Sequence, residues 1–284
     1  MRSSPPGPVA SPSRPAVPPA SEPVRRAVRI GLALGGGAAR GFAHVGVLRA
    51  LEAQGIIPDV IVGTSAGGVV GALYAAGYSG NDLSKIALQM DETVFGDWTL
   101  PDRGILKGEG LQNFINRAVQ NRPLERLNRR FAVVATDLGS GEAAVFRQGN
   151  VGMAVRASSS VPGVFQPMRI NGRDYVDGGL VSPVPVDVTR GLGADMVIAV
   201  DISNRPEAGR IADTVDVLLQ TFAIMGQTIK RHEVARADVV IRPELGAVRG
   251  TDFESRQRAI FEGEKAALYA LPAIQEKLRA LGAR

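Results

Sequence analysis

The sequence contains no cysteine, which excludes disulfides, thiolate metal centres and a cysteine nucleophile. Histidine is almost absent too: His44 and His232 are the only two in 284 residues, too few for a histidine-rich metal site. Aromatic residues make up 5% of the chain and do not interleave with basic clusters, which argues against a nucleic-acid-binding platform. No apolar run reaches the roughly 18 residues that a membrane-spanning helix needs. What the chain does have is 45% apolar residues and 34 glycines, enough for a substantial core punctuated by tight turns.

The net charge of +5 is unevenly placed. Residues 1–26 hold Arg2, Arg14, Arg25 and Arg26 against Glu22, a balance of +3 that leaves only +2 for the rest. The same stretch is rich in Pro, Ser and Ala and poor in large apolar side chains, so its burial cannot offset its ordering entropy. A disordered tail is expected over 1–26. No apolar h-region follows Arg2, so a secretory leader is not expected. Arg25-Arg26 suggests a twin-arginine signal only superficially, because the apolar segment after it runs straight into Gly35-Gly36-Gly37.

From Val28 onward strands and helices alternate. Apolar runs predict strands over Val28–Leu34, Asp59–Val62, Phe131–Thr136, Ala143–Phe146, Met196–Val200 and Val239–Ile241. Helical spacing predicts helices over Gly41–Gln54, Ala66–Ala76, Asn81–Met90, Gly110–Val119, Ile211–Val234 and Gly263–Leu281, the last kinked or split at Pro272. This alternation implies an α/β fold, a mostly parallel sheet covered on both faces. Nothing after residue 27 marks a second domain, and there is no internal repeat.

Ser65 lies in Gly63-Thr64-Ser65-Ala66-Gly67, directly after Val60-Ile61-Val62 and before a helix of small residues. That is the strand, elbow and helix context of a G-x-S-x-G nucleophile, in which flanking Gly63 and Gly67 relieve a sharp turn. At the helix N-terminus the dipole stabilises developing negative charge. The first strand ends in Gly35-Gly36-Gly37-Ala38-Ala39-Arg40-Gly41, which admits two readings. A dinucleotide turn would place glycine where Arg40 stands and needs an acidic ribose ligand that the second strand lacks, and the lysine of a Walker loop is missing. An oxyanion hole needs what consecutive glycines offer, backbone N–H groups converging on one oxygen beside the serine. Serine hydrolases usually take their base from a histidine. His232, in a charged stretch near a helix end, reads as a solvated surface residue, and His44 as a hydrogen-bonded core residue. Asp177, in Tyr175-Val176-Asp177-Gly178-Gly179, is the better candidate base, although an ordinary Asp-Gly turn has the same appearance.

Taken together, the glycine loop with His44-Val45-Gly46-Val47-Leu48, the Ser65 elbow, Ala157-Ser158-Ser159-Ser160-Val161-Pro162-Gly163-Val164-Phe165 and Asp177-Gly178-Gly179 resemble the patatin-like phospholipases, most closely the small bacterial members. The resemblance runs from about Val28 to Asp201. It implies a three-layer α/β/α sandwich over residues 27–284 and a Ser-Asp dyad without histidine. Carried over, Ser65 is the nucleophile, Asp177 the base, the Gly35, Gly36 and Gly37 amides the oxyanion hole, and Arg40 the support of that loop. Ser158, Ser159 and Ser160, lacking elbow glycines, fall to packing and helix capping near the site. The implied activity is cleavage of fatty-acyl esters of lipids or lysophospholipids through an acyl-enzyme, with no metal or organic cofactor. Val69, Val70, Leu73 and the Met90–Leu100 region are candidates for an acyl channel. A cytoplasmic protein in peripheral contact with membranes is expected. The alternative is a regulatory or lipid-binding protein on the same fold without turnover.

Overall fold

The computed structural model describes residues 27–89, 106–203, 214–246, 248 and 252–282. The tail expected at 1–26 and the Met90–Leu100 region lie outside the described residues. Among the described residues there are eight strands: β1 (Ile30–Leu34), β2 (Val60–Thr64), β3 (Arg130–Asp137), β4 (Ala143–Phe146), β5 (Met168–Ile170), β6 (Arg173–Asp177), β7 (Met196–Val200) and β8 (Val239–Ile241). They join in one sheet in the order β5-β6-β3-β2-β1-β7-β8, with β4 also paired to β3. The pairs β3–β2, β2–β1, β1–β7 and β7–β8 are parallel, while β4, β5 and β6 form antiparallel pairs at one side.

Eight α-helices stand among the described residues: α1 (Phe42–Ala53), α2 (Ala66–Ala75), α3 (Gly80–Gln89), α4 (Glu109–Ala118), α5 (Val151–Ser158), α6 (Val186–Gly191), α7 (Thr214–Val234) and α8 (Arg256–Ala280), with the 3-10 turn Ala38–Gly41 leading into α1. Alternation along β1 divides the core. Leu32 and Leu34 join Ile61, Phe131, Ile198 and Val200 in the main cluster beneath α1, α2 and α8. Ala33 faces the other way, with Val197 and Ala199, against Val184 and Val186 and against Val234 at the end of α7. Val60, Val62, Ala132 and Val134 pack on that second face against Val188 and Leu192, from α6 and the residue after it. The result is the three-layer α/β/α arrangement.

The helices differ from expectation in two ways. α8 begins at Arg256, seven residues before the expected start, and runs through Pro272 without being split. Its early turns are held by close contact with α1: a Cβ on Gly46 would lie 1.9 Å from the Ile260 carbonyl oxygen, and one on Gly263 would lie 2.0 Å from that of Ala43. Reciprocal glycines bring the two backbones together, so this helix is fixed by packing and its own apolar periodicity shows only part of it. α5 and α6, eight and six residues long, are too short for a clear periodic signal and were not expected.

Candidate active site

In the parallel register, Leu34 at the end of β1 lies opposite Gly63 of β2 on one side and Val200 of β7 on the other. The glycine loop after β1 and the elbow after β2 therefore leave the same edge of the sheet side by side. Asp177, the last residue of β6, pairs with Ala135 of β3 and comes to the same edge from the antiparallel side.

Ser65 is the N-terminal cap of α2, with φ 52° and ψ −120°. Left-handed φ is rare in a residue with a side chain and costs on the order of 1–3 kcal/mol, so the surrounding structure must hold it. The flanking glycines explain how the chain turns so sharply. A Cβ on Gly63 would lie 2.4 Å from the Gly67 backbone, and one on Gly67 would lie 2.1 Å from the Leu34 carbonyl oxygen. The elbow is also tied from a distance. The Ser65 N–H donates to Ser158 Oγ at 2.8 Å, and Ser158 Oγ–H donates to the Val134 carbonyl at 2.5 Å. Thr64 Oγ1 donates to the Ser182 carbonyl at 2.8 Å.

Ser65 and Asp177 line the same cavity, and the Ser65 hydroxyl favours the charged form of the Asp177 carboxyl. Asp177 is buried, 8% exposed, and its Oδ1 also accepts the Gly179 N–H at 2.7 Å. Its backbone is pinned at both ends, by its N–H to the Ser160 carbonyl at 2.9 Å and by Thr136 Oγ1 to its carbonyl at 2.8 Å. Burial pushes the Asp177 carboxyl up from 3.8 to about 6, with the Gly179 N–H and the Ser65 hydroxyl pulling the other way. Neither histidine takes part in this pair. His44 is fully buried, and its Nε2 donates to the Gly35 carbonyl at 2.8 Å. Burial lowers its pKa to about 4, against the opposing effects of that hydrogen bond and of Asp201, so the ring is neutral at pH 7. His232 lies exposed on α7.

The glycine loop is more selective than its composition suggests. The Gly35 N–H donates to the Val200 carbonyl and the Gly36 N–H to the Pro183 carbonyl, each at 3.0 Å. These bonds position the loop and occupy two of the three expected oxyanion donors. Gly37 and Ala38 line the cavity that contains Ser65, and neither N–H has a hydrogen-bond acceptor among the described residues. Ala38, at φ 49°, is a second non-glycine residue in the left-handed region. Gly36 earns its place by proximity, since a Cβ there would lie 3.3 Å from Ser65 Cβ. Arg40 is 4% exposed, and its Nε donates to the Val248 carbonyl at 2.7 Å, which ties the loop to the segment after β8.

Ser65 and Asp177 open on a cavity of about 350 Å³. Its apolar wall includes Val161, Val164, Phe165, Leu180 and Phe222. Ala38 and Phe253 are shared with a smaller apolar recess of about 60 Å³ lined by Val69, Val70 and Leu73. Sequence reasoning did not single out Lys230 or Gln227 of α7, which line the larger cavity, or Glu233, whose carboxylate accepts from Ser182 Oγ and from the Val184 N–H. Among the described residues no helix is long and apolar enough to cross a membrane.

The fold resembles the crystal structure of VipD from Legionella pneumophila, with a TM-score of 0.56 at 16% identity over 87% of this chain and 67% of that one. An uncharacterized NTE family protein of Mycobacterium tuberculosis is 37% identical over 187 residues, 65% of this chain and 52% of the relative. Patatin-like phospholipase domain-containing protein 6 of Mus musculus is 34% identical over 186 residues, 63% of this chain and 14% of that protein. The chain thus spans about half the length, or less, of these curated relatives. A family model described as patatin-like phospholipase matches residues 32–190, which takes in the glycine loop, the elbow and Asp177. With more than half of its length covered by that match, the chain belongs to the patatin-like phospholipase family.

Proposed function

We propose that this protein is a serine acyl hydrolase that cleaves fatty-acyl esters of lipids by a Ser65–Asp177 dyad. The observation that carries the reading is that Ser65, held in a strained elbow, and the buried Asp177 carboxylate line one cavity and reach the same edge of the sheet. A carboxylate at its ordinary pKa is a weak base towards a hydroxyl, and desolvation brings it nearer the working pH. Asp177 accepts the Ser65 proton as Oγ attacks the acyl carbonyl carbon. The alcohol leaves with that proton, and an acyl-enzyme forms. Water then attacks the acyl carbon while Asp177 takes its proton. Collapse returns the proton to Ser65 and frees the fatty acid.

The oxyanion donors in this reading are the Gly37 and Ala38 amides, with the N-terminus of α2 adding its dipole. Gly35 and Gly36 act by shaping the loop. Removing one oxyanion donor costs about 3 kcal/mol of transition-state stabilisation in measured cases. The apolar cavity and the Val69–Leu73 recess suit an acyl chain. Contact with a lipid surface is part of the proposal. α7 lines the cavity with Phe222, Ala223 and Gly226, while Ile224 and Met225 on its outer side are 54% and 59% exposed.

Covalent labelling by a fluorophosphonate probe tests the reading. The unaltered protein is expected to be labelled once, at Ser65, and Ser65→Ala protein not at all. A folded protein that takes no label and hydrolyses no p-nitrophenyl ester would instead be the lipid-binding alternative.

A further inference from the structure

The segment Ser182-Pro183-Val184, between the turn after β6 and α6, meets three loops of the candidate active site. The Ser182 carbonyl accepts from Oγ1 of Thr64, the residue before Ser65, at 2.8 Å. The Pro183 carbonyl accepts the N–H of Gly36, the residue before Gly37, at 3.0 Å. The Ser182 N–H donates to the carbonyl of Gly178, the residue after Asp177, at 2.8 Å. The glycine loop rests directly on the segment: a Cβ on Gly35 would lie 3.0 Å from Val184 Cγ2 and 3.2 Å from the Pro183 carbonyl oxygen. Where the segment sits therefore sets where the elbow and the glycine loop stand relative to one another.

On its far side the segment is gripped by Glu233 of α7. One carboxylate oxygen accepts from Ser182 Oγ–H and the other accepts the Val184 N–H, the latter at 2.8 Å. Proline has no N–H, so the segment has two backbone donors. Ser182 gives its own to Gly178, and Val184 gives its own to Glu233. Val234, the next residue of α7, joins Val184 in an apolar cluster, which leaves the polar hold to Glu233.

Stability gives no reason for an acid at this position. Glu233 stands in the last turn of α7, where the negative end of the helix dipole disfavours a carboxylate. It is also buried, which disfavours its ionised form. An apolar residue would meet neither objection. A glutamate there adds a two-point grip of fixed spacing on the segment, and a fully satisfied buried polar network specifies one arrangement of the chain.

We propose that Glu233 is a positioning residue for the hydrolysis: it clamps Ser182 and Val184 so that the Ser182 and Pro183 carbonyls hold Thr64 and Gly36, and through them Ser65 and the Gly37 amide, in reacting geometry. The assignment rests on the hydrolase reading above. It works by hydrogen bonds and not by charge, so a neutral side chain of the same shape should serve.

Kinetics on a soluble p-nitrophenyl ester, well below the melting temperature of each protein, test the clamp. Glu233→Ala is expected to lower kcat at least about tenfold with KM within about twofold, because lost alignment acts on the transition state. Glu233→Gln can make both bonds and should keep kcat within about threefold of the parent. A second readout needs no turnover. The Gly36 N–H, followed by NMR, should exchange with solvent at least about tenfold faster in Glu233→Ala than in the parent or Glu233→Gln, while the amides of α8 are unchanged. Should Glu233→Ala fail to fold, Ser182→Ala takes its place with the same expected directions, since it loses the hydroxyl and keeps the carbonyl that holds Thr64. Full kcat in the alanine variant, a fall in kcat that Glu233→Gln shares equally, or Gly36 exchange no faster than in the parent would each overturn the assignment. Should the parent hydrolyse no ester, the hydrolase reading fails, and Gly36 exchange alone decides the clamp.

Discussion

Ser158 Oγ accepts the backbone N–H of Ser65 at 2.8 Å, across 93 residues of sequence. Both residues are buried, so water cannot replace the bond. Ser158→Ala would leave the Ser65 N–H and the Val134 carbonyl without their partner, at a cost of about 1–3 kcal/mol. The strained elbow would relax, and Ser65, the proposed nucleophile, would drift from Asp177. Ser158→Ala is expected to lower Tm and to reduce kcat about tenfold or more with KM little changed. The check is steady-state kinetics on a soluble ester beside thermal melting. A variant that melts lower yet keeps its full kcat would make Ser158 a purely structural residue.

Under the proposed mechanism Asp177 should set the acid limb of activity. As the proposed base it must be ionised, and burial holds its pKa near 6. Below that pH the carboxyl is protonated and cannot take the Ser65 proton, so kcat/KM should fall about tenfold per pH unit. It should level off above about pH 7. Asp177→Asn should remove most of the activity and, with it, the limb. His232→Ala should leave both the rate and the limb in place. A limb that disappears in the His232 variant would assign the base to histidine.

The elbow was legible because the turn demands glycines within a few residues, and Gly63 and Gly67 mark it in the sequence itself. Four collinear motifs located Ser65 and Asp177 together. Which amides of the glycine loop stay free was not legible. Three consecutive glycines look alike, and only the fold gives the Gly35 and Gly36 amides to Val200 and Pro183. Ser158 was likewise indistinct among three serines, because its task depends on the end of α5 meeting the elbow 93 residues away in sequence. Long-range pairs such as Ser182 with Glu233 leave no periodic signal in either segment.

The outer side of α7 should be the lipid-facing surface. Ile224 and Met225 are more than half exposed, and each would gain roughly 1.5–3 kcal/mol on full burial in an apolar phase. Ile224→Ser with Met225→Ser is expected to weaken vesicle binding at least tenfold. The fold should be kept, since exposed substitutions usually change stability by no more than about 0.5 kcal/mol. Turnover of a monomeric soluble ester should be unchanged. Vesicle co-sedimentation of both proteins decides the matter, and equal binding would place the lipid contact elsewhere.

Glu233 predicts a pH dependence of stability separate from catalysis. It lies buried near the end of α7, where its carboxylate meets Ser182 Oγ and the Val184 N–H. Burial pushes its pKa from 4.5 to about 7. The two hydrogen bonds and Arg236 act against that shift, and Asp187 reinforces it. The folded state thus binds this proton more tightly than the unfolded chain does. The stabilisation is complete below pH 4.5, fades between pH 4.5 and 7, and is gone above. Glu233→Gln cannot ionise, yet its amide oxygen can accept from Val184 N–H while its amide nitrogen donates to Ser182 Oγ. The unaltered protein should therefore lose stability relative to the variant as pH rises from 5 to 8, by on the order of 2 kcal/mol. Asp177 titrates in both proteins, so the difference between their denaturant-unfolding curves isolates Glu233. A difference that stays constant from pH 5 to 8 would mean that Glu233 ionises as freely in the folded protein as in the unfolded chain.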